Sequence, residues 1–177
     1  MSIDSPIRIS LEQDGDYAFR VQFHDTDLAP LLTDESPPLG QDLGPNPSRM
    51  LLAAVANCLV ASLLFALRKQ RNAPGPLRAE ITAVPQRNEQ GRWRIPTAAV
   101  TLHLPGHDTD YRALDRVLAQ FEDFCVVTQS VRQGIDVAVT VVDGDGQVLL
   151  GVDAPLEAGE QDGREGNVSW QDRKSVV

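Results

Sequence analysis

The chain has 177 residues, of which 42% are hydrophobic, and a formal net charge of −9 at pH 7. This length and composition predict one globular domain with a sizeable apolar core. The excess of acidic side chains argues against nucleic acid as a partner, because phosphate binding needs a basic surface. The N-terminal residues contain no basic region followed by an apolar run, so we expect no signal peptide and a cytoplasmic protein.

Two short segments near the N-terminus alternate apolar and polar side chains. Residues 7–13 and 17–23 both have this period of two, which predicts strands with one buried face. The turn Asp14-Gly15-Asp16 between them indicates a hairpin. Residues 28–32 are a candidate third strand, and the segment 33–47, which is rich in proline and glycine, predicts a loop.

A long helix is predicted from about residue 47 to residue 72. Pro47 suits the first helical turn, and the cations near the other end suit the negative end of the helix dipole. Residues 51–67 form an apolar run that is slightly short for a bilayer and contains Asn57 and Ser62 near its middle. We therefore expect a core helix and no membrane span. A helix that is apolar on most sides also favours a homodimer, because one subunit would not cover it.

Strand and helix patterns follow one another in the second half of the chain. The predicted elements are a second hairpin (77–85 and 93–104), a helix capped by Asp108 or Thr109, a short helix from Cys125 to Gly134, and a strand, 135–142, that turns back into 148–150. This order predicts an α+β domain in which antiparallel hairpin sheets pack around a long central apolar helix. We place this domain at residues 1–152 and expect residues 153–177 to be an acidic, solvated tail.

Cys58 and Cys125 are the only cysteines of the chain. Cys58 lies inside the apolar run, where it is either an inert core thiol, because burial suppresses the reactive thiolate, or a thiol activated by a neighbour. Cys125 lies at a predicted helix start, where backbone N–H groups lower a thiol pKa, unless it only fills space at a junction. A thiol in mid-helix and another at a helix start also suit a redox pair, in which one attacks and the other resolves.

A reactive Cys58 needs a nearby cation or hydrogen-bond donor. Arg20, on the second predicted strand, points either inward as that cation or outward to solvent. Arg49 stands nine residues before Cys58 on the same helix, which puts the two side chains on opposite faces, so Arg49 would have to serve the site of a partner subunit. The three histidines have no spacing typical of a metal site, and we expect neither a metal nor a bound cofactor.

Each cysteine lies in a distinctive stretch of sequence. Cys58 follows Pro47 by eleven residues, and Cys125 stands at a predicted helix start. The stretches are Gly44-Pro45-Asn46-Pro47, Leu51-Leu52-Ala53-Ala54, Asn57-Cys58 and Cys125-Val126-Val127-Thr128. They resemble the two cysteine motifs of the OsmC/Ohr family, the osmotically induced and organic hydroperoxide resistance proteins. In the first family motif, a proline-containing loop starts a long helix and the reactive cysteine follows the proline by eleven residues. The second is a cysteine at the next helix start, followed by valine and serine or threonine.

The resemblance covers roughly residues 7–142 and implies an intertwined homodimer that acts as a thiol-dependent peroxidase on organic hydroperoxides. By this analogy Cys58 is the peroxidatic thiolate, which becomes a sulfenic acid, and Cys125 resolves it as a disulfide. An arginine would stabilise the thiolate, and Arg20 is the favoured candidate over Arg49. An external dithiol of the dihydrolipoyl type would then reduce the disulfide by exchange.

Two departures from the family pattern leave a second function open. Peroxidase members usually carry a glutamate one or two residues after the motif proline, where this chain has Ser48 and Arg49. They also usually have a proline after the second cysteine, where this chain has Val126. The alternative is a non-peroxidatic dimer that binds a small molecule or senses redox state. A cysteine hydrolase would require a histidine close to Cys58, and no pattern selects one.

Overall fold

The computed structural model of the protein describes residues 6–135, 137–144 and 147–151. They fall into two compact units, one of residues 7–135 and one that includes residues 137–144 and 147–151. The acidic segment 153–177 lies outside the described residues. The first unit contains the long helix and three small antiparallel sheets, so the predicted α+β class is confirmed.

The N-terminal sheet has three antiparallel strands in the order β1-β2-β3. They are β1 (Ile9–Gln13), β2 (Phe19–Phe23) and β3 (Leu31–Thr33). The predicted hairpin is confirmed, with Leu11 opposite Val21. The predicted buried face is wrong for β1, because all five of its residues are exposed in the subunit. The third strand begins later than predicted. The Thr26 hydroxyl donates to the Phe23 carbonyl and accepts the Leu28 N–H, which holds the chain in a turn after β2. Pro30 has no N–H to donate to a neighbouring strand, so β3 begins only after it.

The long helix α1 (Pro47–Lys69) begins where the sequence predicts. The side chain of Asn46 caps it by accepting a hydrogen bond from the Arg49 N–H at 2.9 Å, and Pro47 occupies the first turn. The helix ends before the predicted residue 72. Arg71 adopts a left-handed φ of 61°, and the Asn72 N–H closes the end by donating to the Leu67 carbonyl at 3.0 Å.

The second predicted hairpin is confirmed as an antiparallel pair, β4 (Arg78–Ala83) and β7 (Ala98–His103), with Ile81 opposite Val100. The strands are shorter than predicted, because Pro85 and Pro96 cannot donate to a ladder. A small hairpin of β5 (Gln86–Arg87) and β6 (Trp93–Arg94) lies between them.

The helical segment after β7 differs from the prediction. Asp108–Asp110 form only a 3-10 turn, held by a hydrogen bond from the His107 N–H to the Asp110 carboxylate at 2.8 Å. The α-helix α2 (Leu114–Gln120) starts after Ala113, whose φ of 50° cannot continue a right-handed helix. Asp108 and Thr109 are therefore not its caps. A 3-10 segment (Phe121–Phe124) leads into α3 (Val126–Gln133).

The core of this unit lies between α1 and the elements that follow it. Leu63 and Leu67 of α1 and Val117 of α2 are almost completely buried, and α1 packs against β4, β7, α2, α3 and the 3-10 segment. By length and composition alone, α1 is long and apolar enough to cross a membrane, and an 18-residue stretch of it has a mean hydropathy of 2.4. The apolar run 51–67, which by itself is slightly short for a bilayer, is thus part of a longer helix.

The second unit contains a hairpin of β8 (Val141–Val142) and β9 (Val148–Leu150). The predicted strand over 135–142 is confirmed only at its end. Its pairing partner β9 has only three residues, and Val141 lies opposite Leu150 at the end of β9. The next residue, Gly151, has a φ of 89° and lies against the backbone of Val139 and Thr140, so the strand pairing does not extend further.

Candidate active site

Cys125 lies at the junction between the 3-10 segment and α3, and none of its surface is exposed. Its carbonyl accepts the Gln129 N–H at 3.0 Å, which makes it the residue that opens the helix. Its Sγ lies 2.9 Å from the hydroxyl oxygen of Thr128, which is also buried. The prediction that the second cysteine stands at a helix start is confirmed.

Cys58 lies in the middle of α1 and is half-buried. It packs against a buried cluster that consists of Val55, Leu59 and Cys125. Both cysteines are free thiols. The fold therefore brings together two cysteines that lie far apart in the sequence, because α3 packs its first turn against the middle of α1.

The pKa values of the two thiols are shifted in opposite directions. Burial raises the pKa of Cys58, and hydrogen bonding with Cys125 raises it further, which outweighs the N–H groups of Val127 and Thr128. Burial alone would also raise the pKa of Cys125, but hydrogen bonds from Cys58, Thr128 and Ser62 outweigh it and lower this pKa below its ordinary value. The Thr128 N–H contributes to this lowering although it does not close a capping hydrogen bond.

A cavity of about 510 Å³ lies beside the thiols. Val55, Leu59 and Thr128 belong both to its wall and to the surroundings of the two cysteines. The remaining lining is mostly aliphatic and includes one ion pair, Arg132 to Glu122 at 2.6 Å. An apolar cavity with a few polar groups is the usual form of a small-molecule site.

Arg20 lies on the exposed face of β2, next to the buried Val21. Its guanidinium pairs with the carboxylate of Asp14 in the adjoining turn, and 46% of its side chain is exposed. The sequence left two orientations open for the Arg20 side chain, and in the structure it points outward. Arg20 could therefore stabilise a thiolate only in the site of a second subunit.

Arg49 lies in the first turn of α1 and holds the preceding loop. Its guanidinium is 3.1 Å from the Asp42 carboxylate and 3.4 Å from the Ser36 hydroxyl. The pKa of Asp42 is lowered by hydrogen bonds from Ser36 and from Arg49. Arg49 is thus also paired with a carboxylate of its own loop.

Within the described ranges, no group of three or more His, Cys, Asp or Glu side chains is placed so that it could hold a metal ion. The histidine at position 103 lies at the edge of the β4–β7 pair, 3.7 Å from Glu80, and His24 binds Ser10. The described contacts of these two histidines involve neither cysteine.

Sequence reasoning gave neither Ser62 nor Thr128 a role in the site, although Thr128 belongs to the second motif. Both are buried, the Thr128 hydroxyl oxygen lies 2.9 Å from the Cys125 Sγ, and both hydroxyls lower the pKa of Cys125. Ser62 stands one turn after Cys58 on α1, so a polar residue at this spacing inside an otherwise apolar helix was the available signal.

The OsmC-like protein family model matches residues 40–140, which is more than half of the chain and includes both cysteines. No curated protein matches the sequence. Solved structures with a similar fold include an OsmC-like protein from Mycoplasma pneumoniae, with 17% identity, a TM-score of 0.59, and coverage of 75% of this chain and 91% of that one.

Two further similar structures are organic hydroperoxide resistance proteins. OhrB of Bacillus subtilis has 17% identity and a TM-score of 0.54, over 75% of this chain and 94% of that one. OsmC of Legionella pneumophila has 15% identity and a TM-score of 0.56, over 75% and 93%. These likenesses establish the fold, and the family model establishes the membership. The chain belongs to the OsmC-like protein family.

Proposed function

We propose that this protein is a thiol-dependent peroxidase that reduces organic hydroperoxides through a two-cysteine cycle. The observation that carries the proposal is the packing of two free thiols against each other beside an apolar cavity, in a member of the OsmC-like family. The half-buried Cys58 attacks the peroxide and becomes a sulfenic acid, and the fully buried Cys125 condenses with it to form a disulfide.

The aliphatic cavity favours peroxides with a bulky apolar group over hydrogen peroxide. Burial of an apolar substituent against Val55 and Leu59 contributes binding free energy, which hydrogen peroxide cannot gain. Two of the similar structures are organic hydroperoxide resistance proteins, which supports the same substrate class. The disulfide is then reduced by a small external dithiol of the dihydrolipoyl type, by thiol–disulfide exchange.

The active form is an intertwined homodimer. The N-terminal sheet makes almost no contact with α1, and its apolar side chains Ile9 and Leu11 are exposed. On α1, Leu51 and Phe65 are exposed as well. A monomer thus leaves two apolar faces uncovered, and a second copy of the chain supplies a complementary pair.

The test is a titration of the reduced protein with one equivalent of cumene hydroperoxide, followed by thiol counting and mass mapping. We expect rapid loss of both thiols and one disulfide that joins Cys58 to Cys125. The variant Cys125→Ser should stop at a sulfenic acid on Cys58, and Cys58→Ser should retain its thiol.

Two outcomes would overturn the proposal. One is the persistence of both thiols, which would favour the alternative of a dimer that binds a small molecule or senses redox state. Ser48 and Arg49, which stand where peroxidase members usually carry a glutamate, are compatible with that alternative. The other is faster consumption of hydrogen peroxide than of cumene hydroperoxide, which would contradict a role for the apolar cavity.

A further inference from the structure

We propose that Arg132, held in place by Glu122, is a specificity-determining residue of the cavity and anchors the carboxylate of a medium-chain carboxylic acid there. The aliphatic chain of this ligand lies against the apolar part of the cavity wall. The anchor belongs to the subunit itself, because both residues of the ion pair and the wall between them come from one chain.

The wall of the cavity has few polar groups. Among the described residues that line it, Arg132 is the only cation and Glu122 the only acid, and the other polar side chains are Thr97 and Thr128. The rest of the lining is apolar. A volume of about 510 Å³ is within the range of cavities that hold small organic molecules. A ligand with one charged group and an apolar body matches this wall.

The ion pair lies where the cavity meets solvent. The side chain of Arg132 is 55% exposed and that of Glu122 is 42% exposed, whereas Val55 and Leu59 in the same wall are buried. A charged group at the opening keeps part of its hydration, while an aliphatic chain gains free energy by leaving water. We therefore place the carboxylate at Arg132 and the end of the chain toward Val55 and Leu59.

The guanidinium of Arg132 is fixed but still has donors to offer. The backbone carbonyl of Glu122 accepts the Cys125 N–H at 3.0 Å and the Gln129 side-chain amide at 3.2 Å, which ties the 3-10 segment to α3. One oxygen of the Glu122 side chain lies 2.6 Å from Nη2 of Arg132, and Arg132 makes no other side-chain hydrogen bond among the described residues. A guanidinium carries five N–H donors, so several remain for a carboxylate, which it binds as a fork.

The other arginines considered for the site do not offer this anchor. Arg20 and Arg49 pair with carboxylates of their own turns and loops, Asp14 and Asp42, and neither lines the cavity. The net charge of −9 disfavours anions near the protein in general. A preference of the cavity for a carboxylate therefore requires a local cation, and Arg132 supplies it.

One consequence rests on the proposed function. If the protein reduces organic hydroperoxides, it should prefer those that carry a carboxylate at the end away from the peroxide group. The contact with Arg132 exists before and during the reaction, so it lowers KM and leaves kcat unchanged. The methyl ester of the same hydroperoxide lacks the anion and should show the higher KM.

The anchor is tested without any oxidant. Isothermal titration calorimetry measures the binding of decanoate and of decanol to the reduced full-length protein, two ligands that share a chain and differ in the head group. We expect decanoate to bind about tenfold or more tightly than decanol, the size expected for a hydrogen bond to a charged group. Equal affinity for the two ligands, or binding of neither, would overturn the proposal.

Matched variants separate the anchor from a merely structural role of the ion pair. Arg132→Gln should lose the advantage of decanoate and keep the affinity for decanol, and Arg132→Lys, which retains the charge, should keep part of that advantage. Arg116→Gln is the control, since Arg116 is exposed on α2 and does not line the cavity, and it should bind both ligands like the parent protein. If Arg132→Gln weakens both ligands equally, the ion pair only supports the wall and the proposal fails.

The binding measurement and the peroxide assay fail separately. A protein that binds decanoate through Arg132 but leaves cumene hydroperoxide intact keeps the anchor and overturns the proposed function. A protein that forms the disulfide but binds decanoate no more tightly than decanol keeps the peroxidase and overturns the role of Arg132.

Discussion

At the scale of single residues, the two cysteines show that hydrogen bonds can outweigh burial in shifting the pKa of a thiol. Cys125 is more deeply buried than Cys58, yet its pKa is lowered while that of Cys58 is raised. Burial acts in the same direction on both. The difference comes from the side-chain hydrogen bonds: those from Cys58, Thr128 and Ser62 lower the pKa of Cys125, whereas the one with Cys125 raises the pKa of Cys58.

Arg20 provides a test of cooperation between subunits. If it stabilises the Cys58 thiolate across the dimer, Arg20→Gln should lower the rate of Cys58 oxidation at pH 7 about tenfold, because loss of a nearby opposite charge raises a thiol pKa by about one unit or more. The measurement is the second-order rate with cumene hydroperoxide.

Arg8→Gln is the matched control for this test, since Arg8 lies at the edge of the same sheet and pairs with an exposed carboxylate, Asp25. This variant should leave the rate unchanged. An unchanged rate in Arg20→Gln together with a slower rate in Arg49→Gln would contradict the role of Arg20 and assign it to Arg49, which begins the helix that carries Cys58.

The sequence was sufficient to identify the cysteines but not their surroundings. The motif spacing selected Cys58 and Cys125, because a proline-started helix and a helix-opening cysteine are local features. Their packing against each other is a tertiary contact between α1 and α3. The orientation of Arg20 depends on which face of β2 is covered, and alternation alone leaves that choice open. Ser62 belongs to no motif, and the motif that contains Thr128 does not say which side chain its hydroxyl contacts.

At the scale of elements, the loop before α1 is organised by one carboxylate. Asp34 is buried and accepts the N–H groups of Glu35 and Gln41 at 2.8 Å and of Leu43 at 3.2 Å. The loop passes close to this side chain at Gly40, where an added Cβ would lie 2.2 Å from the Asp34 carboxylate. This arrangement fixes the approach of the chain to Asn46 and hence the start of the helix that carries Cys58.

The Asp34 loop predicts a pH dependence of stability. The hydrogen bond from the Gln41 N–H is the main cause that holds the pKa of Asp34 below its ordinary value of 3.8. A carboxyl whose pKa is lowered in the folded state contributes stability that is present above its unfolded pKa and is lost as pH falls through the folded one. Asp34→Asn should therefore be less stable than the parent protein at pH 7, and this difference should shrink below about pH 4.

This dependence is measured from urea unfolding midpoints at several pH values between about 2.5 and about 7, which lie on both sides of the ordinary carboxyl pKa. Asp27→Asn is the control, since Asp27 is exposed and makes no side-chain hydrogen bond among the described residues. A stability difference between Asp34→Asn and the parent protein that does not vary with pH would contradict the argument.

The same scale shows why element types were easier to predict than their boundaries. Period-two and period-3.6 patterns gave the β1–β2 hairpin, the β4–β7 pair and α1, because each extends over several residues. The errors lie where one residue decides. Ala113 and Arg71 adopt left-handed backbone conformations that their residue types do not announce, and they fix the start of α2 and the end of α1.

At the scale of the whole molecule, the uncovered apolar faces predict the assembly. Leu11 on the N-terminal sheet is 61% exposed, and Phe65 on α1 is 54% exposed. Exposed apolar side chains grouped on one face of a sheet and one face of a helix support the proposed homodimer interface, whereas single ones are common on any surface.

Leu11→Glu or Phe65→Glu should therefore dissociate the dimer. A charge placed in an apolar interface without a partner costs about 3 kcal/mol or more, which corresponds to a Kd raised about a hundredfold or more. Sedimentation velocity over a range of protein concentrations measures this change. Val84→Glu is the control, because Val84 is as exposed but lies between β4 and β5, outside both faces, and should leave the dimer intact.

The same variants separate assembly from chemistry. Cys58 and Cys125 meet within one subunit, so a Leu11→Glu monomer should still form the disulfide when it is treated with peroxide, as mass mapping would detect. If Arg20 acts across the interface, that monomer should react as slowly as Arg20→Gln does, since both lack the partner's cation. A monomer that reacts at the full rate would show that one subunit holds the complete site, and it would remove the need for either arginine to reach across the dimer.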